Sequence, residues 1–201
     1  METSTRLARL TDLDWAAAVL ADAFADSPWT RWTVDASDHE RRITGLQRIA
    51  LEHYALPFGG VSVTEVAGVV HSVAAWSDSA VVSAAPIDTD VASAVAELEG
   101  DRHDASRAAD RSVDPLRPKQ RHLYLGTVGT SRAMQGRGLA TMTLAPLLRS
   151  SDRAGLDVCL ETSTESNVAF YGRLRFDVEG HVTIDDGGPE VWLMHRRPEP
   201  G

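Results

Sequence analysis

The sequence is short of cysteine, of positive charge and of long apolar runs, and each shortage removes a class of protein. Its one cysteine, Cys159, has no internal partner for a disulfide. No Cys and His cluster has zinc-ligand spacing either, so neither a disulfide-stapled scaffold nor a structural metal is expected. Lys and Arg number 20 against 29 Asp and Glu, a formal net charge of -9. A duplex-binding module needs the opposite balance to displace counterions from phosphates, so no nucleic-acid partner is expected. No apolar run approaches the roughly 18 residues that cross a bilayer, and Met1 to Arg6 holds no apolar stretch fit for a secretion signal. The expected location is the cytoplasm, with no membrane partner.

What is present suits one hydrophobic core: 201 residues, 43% of them hydrophobic, support a single domain over 1–201 and are too few for two typical ones. Thr11-Asp12-Leu13-Asp14 reads as a helix start, with Trp15, Val19 and Ala23 behind it at helical spacing. Ser37-Asp38-His39-Glu40 repeats the signal, and Ile43, Leu46, Ala50 and His53 form the face of a second helix. The loop from Ala25 to Asp35 joins the two. Gly60 to Val66 and Val69 to Trp76, rich in β-branched residues around Ala67-Gly68, predict a hairpin. Thr89 to Leu98, closed by Gly100, predicts another helix. The charged stretch from Asp101 to Lys119 reads as a mobile surface connection with room for a helical turn. Leu123 to Gly129, Gly136 to Ala154 and Leu156 to Thr162 then form a βαβ unit with a parallel strand pair, Pro146 kinking its helix. A short helix from Ser166 to Leu174 and a last hairpin, Phe176 to Ile184 with Val191 to Arg196, complete an α/β pattern.

Gln135-Gly136-Arg137-Gly138-Leu139-Ala140 is the densest chemical signal. It lies between a strand and a long helix, where glycines free the backbone and the first helical amides point outward unpaired. With the helix dipole and Arg137, such a mouth suits a phosphate or pyrophosphate. The nucleotide-triphosphate loop, Gly-x-x-x-x-Gly-Lys-[Ser/Thr], does not occur. The dinucleotide fingerprint is half matched: Gly136 and Gly138 fit, but Thr141 holds the third glycine position and Thr130 to Gln135 separate the loop from its strand. A helix start that binds nothing is the plain alternative.

Gln135, Gly138 and Ala140 also satisfy a third pattern, and the segment resembles the coenzyme A loop of the GNAT acetyltransferase superfamily. Leu160-Glu161-Thr162-Ser163 followed by Asn167 and, four residues on, Tyr171 resembles the second half of that family's motif set. The resemblance implies a GNAT acetyltransferase fold, a mixed twisted sheet flanked by helices on both faces and splayed where acetyl-CoA enters. It implies that Val128, Gly129, Thr130, Gln135, Gly136, Arg137, Gly138, Leu139, Ala140, Thr141 and Asn167 bind the cofactor, with no metal. Within it, the Val128 amide polarises the acetyl carbonyl, Tyr171 protonates the leaving sulfur, and Glu161 takes a proton from the substrate ammonium through water. Asn167 and Tyr171, one turn apart, face the same way.

Each role has a structural alternative. Tyr171 could be a packed aromatic, and Glu161 could pair with a neighbouring Arg. His122 and Tyr124 are substitute bases. Cys159, between Val158 and Leu160, reads as a small core residue and not as an acyl carrier.

Ala23-Phe24-Ala25-Asp26, Thr33-Val34-Asp35, Arg117-Pro118-Lys119, Thr127-Val128-Gly129 and Gly188-Pro189 with Trp192 and Met194 extend the resemblance to the puromycin N-acetyltransferase group, which implies an antibiotic-resistance role. Two residues depart from that group: Ser27 stands where an aromatic is expected, and Arg175 where glycine is usual. The implied acceptor is a small-molecule primary amine attacking directly in a ternary complex, with Asp26, Trp29 and Trp32 as a possible acceptor wall or as anchors of the helix connection. A protein N-terminal or lysine acetyltransferase and a non-catalytic acyl-CoA sensor are the rivals. The chain is expected to be a monomer or homodimer.

Overall fold

The structure is a computed structural model that describes residues 2–86 and 88–199; Met1, Ile87, Pro200 and Gly201 lie outside it. Its frame is a seven-stranded sheet: β1 (Thr3–Leu7), β2 (Gly59–Val66), β3 (Val69–Asp78), β4 (Leu123–Thr130), β5 (Val158–Thr162), β6 (Asp177–Thr183) and β7 (Glu190–Arg196). The spatial order is β1-β2-β3-β4-β5-β7-β6. All neighbours are antiparallel except β4 and β5, as the βαβ reading requires.

Helices cover both faces. On one lie α1 (Leu13–Phe24), α2 (Pro28–Thr33), α3 (His39–Ile49) with its continuation into α4 (Leu56–Phe58), and α7 (His103–Val113); on the other lie α8 (Leu139–Ala154) and α9 (Glu165–Gly172). Between β3 and α7 run α5 (Ser79–Ala84) and α6 (Thr89–Glu99). Leu13, Leu20 and Leu51 bury against Val61, Val63 and Val73, whereas Leu144 and Leu147 of α8 bury against Trp76, Leu125 and Leu160. Alternation along the strands sends successive side chains to these two layers. No helix among the described residues is long and apolar enough to cross a membrane.

Several local expectations change. Trp15 is 66% exposed, and the inner face of α1 is Leu13, Ala16, Ala17 and Leu20. The box at its entry is set one turn earlier, where the Asp12 carboxylate accepts the Arg9 amide at 2.7 Å. The second helix starts after Asp38, whose φ is +50°, without a side-chain cap. It widens to π geometry over Ala50–Ala55, so Leu51 and Ala55 bury in place of Ala50 and His53. One extra residue per turn rotates the apolar stripe, which a 3.6-residue period cannot foresee. Asp101 to Lys119 is not a mobile connection: it contains the eleven-residue α7, in which Ala109 and Val113 are fully buried against Ile184 and Val191. The loop Ala25 to Asp35 holds α2, and β1, unread in the sequence, pairs with β2. Arg175 takes the left-handed conformation, φ +68°, that the usual glycine would hold.

Candidate active site

The site begins with a strand pair that separates. β4 and β5 share a ladder only over Leu123–Leu125 and Val158–Leu160. Beyond it β4 continues to Thr130 on β3, and β5 continues to Thr162 on β7. Among the described residues the β5-facing edge of β4 after Leu125 therefore has no strand partner, which opens its backbone to a ligand. The β3–β4 register also steps past Gly126, since Trp76 pairs with Leu125 and Ala75 with Thr127. The extra residue reverses the alternation and turns Thr127 toward the α1 side, with Val128 beside Ala74 on the α8 side.

Two cavities meet at this opening. A cleft of about 770 Å³ runs along the start of α8, and a chamber of about 280 Å³ lies under α2 and α3; Phe24, Ser27, Val128, Asn167 and Tyr171 line both. The cleft takes in Gly129, Thr130, Gln135, Gly136, Gly138, Leu139, Ala140 and Thr141. Arg137 is exposed and stands outside that wall. Gly129 is required by packing: a Cβ there would sit 2.8 Å from the Ala23 Cβ of α1. Thr130 is engaged structurally, its hydroxyl donating to Ser72 Oγ at 2.9 Å and its carbonyl accepting Gln135 Nε2 at 3.1 Å. That second bond closes the loop before α8.

Gly136 and Gly138 have φ of +74° and +76° with open space around them, so they serve the turn and not a close approach. From Gly136 to Thr141 the amides make no backbone hydrogen bond, leaving a run of donors at the positive end of a sixteen-residue helix. Arg137 has no carboxylate partner among the described residues, and Arg173, lining the cleft, makes only a bond to the Ala169 carbonyl and a stacking contact on Phe170. These unspent donors and cations fit a pyrophosphate-bearing cofactor such as acetyl-CoA.

Tyr171 is 6% exposed and wedged edge-on between Phe170 and Phe176, at ring distances of 5.0 and 5.6 Å. Burial pushes its phenol above the ordinary range. Its hydroxyl has no hydrogen-bond partner among the described residues, though the ring is fixed. Asn167 donates from Nδ2 to Thr162 Oγ1 at 3.0 Å, and its amide is capped by Thr164. The expected shared direction of Asn167 and Tyr171 is present, since both reach both cavities.

Glu161 lines the chamber with Tyr124, and Arg117 grips it: Nε to Oε1 at 2.7 Å and Nη2 to Oε2 at 3.1 Å. Burial first, then the Glu161 charge, pushes the Tyr124 phenol above its usual range. Arg117 lies just past the 3-10 turn Asp114–Leu116 that follows α7 and could not be assigned to Glu161 while that region was read as loose chain. His122 lies outside the chamber, its Nδ1 bonded to the Gln120 carbonyl at 2.8 Å. Cys159 is buried, and burial pushes its thiol up to about 12, which leaves it protonated and inert.

Of the proposed acceptor wall, Trp29 lines the chamber, whereas Trp32 packs with Ala109 and Val113 under the Arg102 guanidinium, 4.5 Å from its ring centre. Asp26 faces the cofactor-side cleft and pairs with Arg31 at 2.6 Å and Arg132 at 3.0 Å, leaving Glu161 as the acid of the chamber. Phe24, Gln47 and Thr127 also line the chamber and had no site role in the sequence, because each reaches it only through tertiary packing.

No protein-family model matches the chain. Among solved structures it is similar to histone acetyltransferase HPA2 and related acetyltransferase from Corynebacterium glutamicum, 23% identical over 100% of this chain and 99% of that one, with a TM-score of 0.74. A polyamine N-acetyltransferase of Drosophila melanogaster is 14% identical over 98% and 100%, TM-score 0.60. The C-terminal condensation domain of Ebony, in complex with beta-alanyl-dopamine, is 10% identical over 98% and 99%, TM-score 0.72. At these identities the likeness is one of architecture, and with the mixed sheet, its splay and the helices on both faces it gives the chain the fold of the GNAT acetyltransferases.

Proposed function

We propose that this protein is an acetyl-CoA-dependent N-acetyltransferase acting on a primary amine of a small molecule. One observation carries the reading: a donor-rich cleft and a separate small chamber open onto each other at the splay, with an unpartnered phenol at the junction. Bound there, the cofactor supplies a thioester as the acetyl source.

The chain's own groups account for the rest. The amides from Gly136 to Thr141, with Arg137 and Arg173, hold phosphate; Asn167 steadies the cofactor arm; the Val128 amide donates to the oxyanion. Tyr171 Oη keeps its proton throughout the neutral range and gives it to the departing sulfur. Glu161, fixed by Arg117, accepts the ammonium proton through water. Holding amine and thioester together contributes the larger part of the acceleration.

The chamber's size favours a small acceptor over a protein terminus or lysine, although the Corynebacterium relative is described as a histone acetyltransferase. A bare acyl-CoA sensor has no use for a hydroxyl held unbonded between two cavities. The test is release of free coenzyme A, read with a thiol reagent, across a panel of amines that includes puromycin and short aliphatic amines. Release above background hydrolysis with at least one small amine is expected, and none across the panel would sink the reading. Acceptance of puromycin would carry the assignment on to antibiotic resistance.

A further inference from the structure

Besides the Tyr171 hydroxyl, the chamber holds two buried oxygens that no group among the described residues satisfies. Gln47 Oε1 and Thr127 Oγ1 are buried without a hydrogen-bond partner, and both residues line it. The other orphaned side-chain atoms among the described residues, Trp32 Nε1 and His39 Nε2, belong to residues outside its wall. Buried polar groups in native proteins are almost always paired, so two orphans in one cavity call for an explanation.

Packing does not supply one. Ile43, Gln47, Leu51 and Ala55 follow one another four residues apart, a stripe kept in phase by the π-helical widening after Ile49. Ile43, Leu51 and Ala55 are buried and apolar, and Gln47 is the polar member. Thr127, 9% exposed, holds an inward position on β4 next to the Gly126 step, where valine would fill the same space. Glu161 adds a third acceptor, and Phe24 and Trp29 give apolar wall. A carbonyl oxygen can only accept, a carboxylate can only accept, and a threonine hydroxyl can do either. The shared demand is for hydrogen-bond donors.

We infer that Gln47 and Thr127 are specificity residues that take up a second donor group of the acceptor amine, so that the substrate is a short amine bearing an amino or hydroxyl group away from the reacting nitrogen. This rests on the acetyltransferase reading and narrows its substrate class. A site built to pair a donor leaves its own oxygens stranded when an analogue lacks that group, which is how such sites discriminate.

The test pairs amines of equal length: butylamine against putrescine and aminobutanol, and pentylamine against cadaverine, by thiol release. The wild-type protein should favour the two-donor amine of a pair by at least about tenfold in kcat/KM. Thr127→Val and Gln47→Met, near-isosteres without the oxygens, should each cut that ratio severalfold and raise the melting temperature, since an orphaned polar group is removed. Equal kcat/KM within every pair, or ratios that survive both substitutions, would overturn the inference. So would a gain confined to the diamines, which long-range attraction to an acidic protein explains without these oxygens. Should no amine release thiol, titration calorimetry of putrescine and aminobutanol still decides: binding weakened in both variants supports the donor pocket, and no binding to the wild type removes it.

Discussion

Tyr171 has its ring locked by two aromatic neighbours, while its hydroxyl has no hydrogen-bond partner among the described residues. Removing that hydroxyl should therefore be silent in the fold and loud in the chemistry. Tyr171→Phe is expected to lower amine-dependent thiol release by about 100-fold while changing the unfolding free energy from urea titration by less than about 0.5 kcal/mol. The raised phenol also predicts a pH profile: the wild-type rate should climb as the amine loses its proton and show no descending limb below about pH 10, because an ordinary tyrosine titrates there and this one later. A limb descending near pH 8 would exclude Tyr171 as the acid. At this scale the sequence told part of the story. Asn167 and Tyr171 were legible because four residues is one helical turn, a local rule. The grip of Arg117 on Glu161 was not, because 44 residues separate them and only the docking of α7 brings them together.

Among the elements, the loop into α8 shows what local chemistry fixes by itself. Gly136 and Gly138 both need positive φ, which an L-side chain resists, and the space around each is empty. Gly138→Ala should cost about 1–2 kcal/mol in denaturant unfolding from backbone strain alone. It should also weaken coenzyme A binding at least severalfold in calorimetry, since the same turn aims the helix amides. Unchanged binding would separate that turn from ligand binding. The hairpin of β2 and β3 and the βαβ unit were equally legible, from β-branched runs and turn residues. The region of α7 misled because its apolar stripe is narrow: only Ala109 and Val113 are buried, and charged and small residues fill the remainder. Their burial depends on Ile184 and Val191, seventy and more residues onward.

Across the whole molecule, ion pairs tie distant parts of the sheet and its helices. Asp12 with Arg6, Asp78 with Arg121 and Asp152 with Arg196 link β1 to the entry of α1, the end of β3 to the start of β4, and α8 to β7. In each, the hydrogen bond from the arginine holds the aspartate below its ordinary range. A carboxylate depressed in the folded state binds protons later than in the unfolded chain. Its stabilisation is complete above the unfolded value of about 3.9 and is lost as pH falls through the folded one. The melting temperature should be level above about pH 5 and fall below about pH 4. Asp152→Asn leaves the 4%-exposed Arg196 with Glu199 alone. It should lower stability at neutral pH by about 2 kcal/mol and flatten the acid decline of the melting temperature, as measured by thermal melts across pH.

The sequence by itself determined the elements whose causes are local: the glycine turn before α8, the parallel βαβ unit, the two hairpins and the Asn167-to-Tyr171 helix, together with a fold class that follows from their order. These depend on φ preferences, side-chain period and spacing along one helix, all carried by neighbouring residues. Only the tertiary structure decided where β4 parts from β5, which way Thr127 turns after Gly126, that Gln47 lies on an inner stripe, and that Arg117 holds Glu161. Those outcomes depend on which surfaces far apart in the chain bury one another, a competition that no short window of sequence contains.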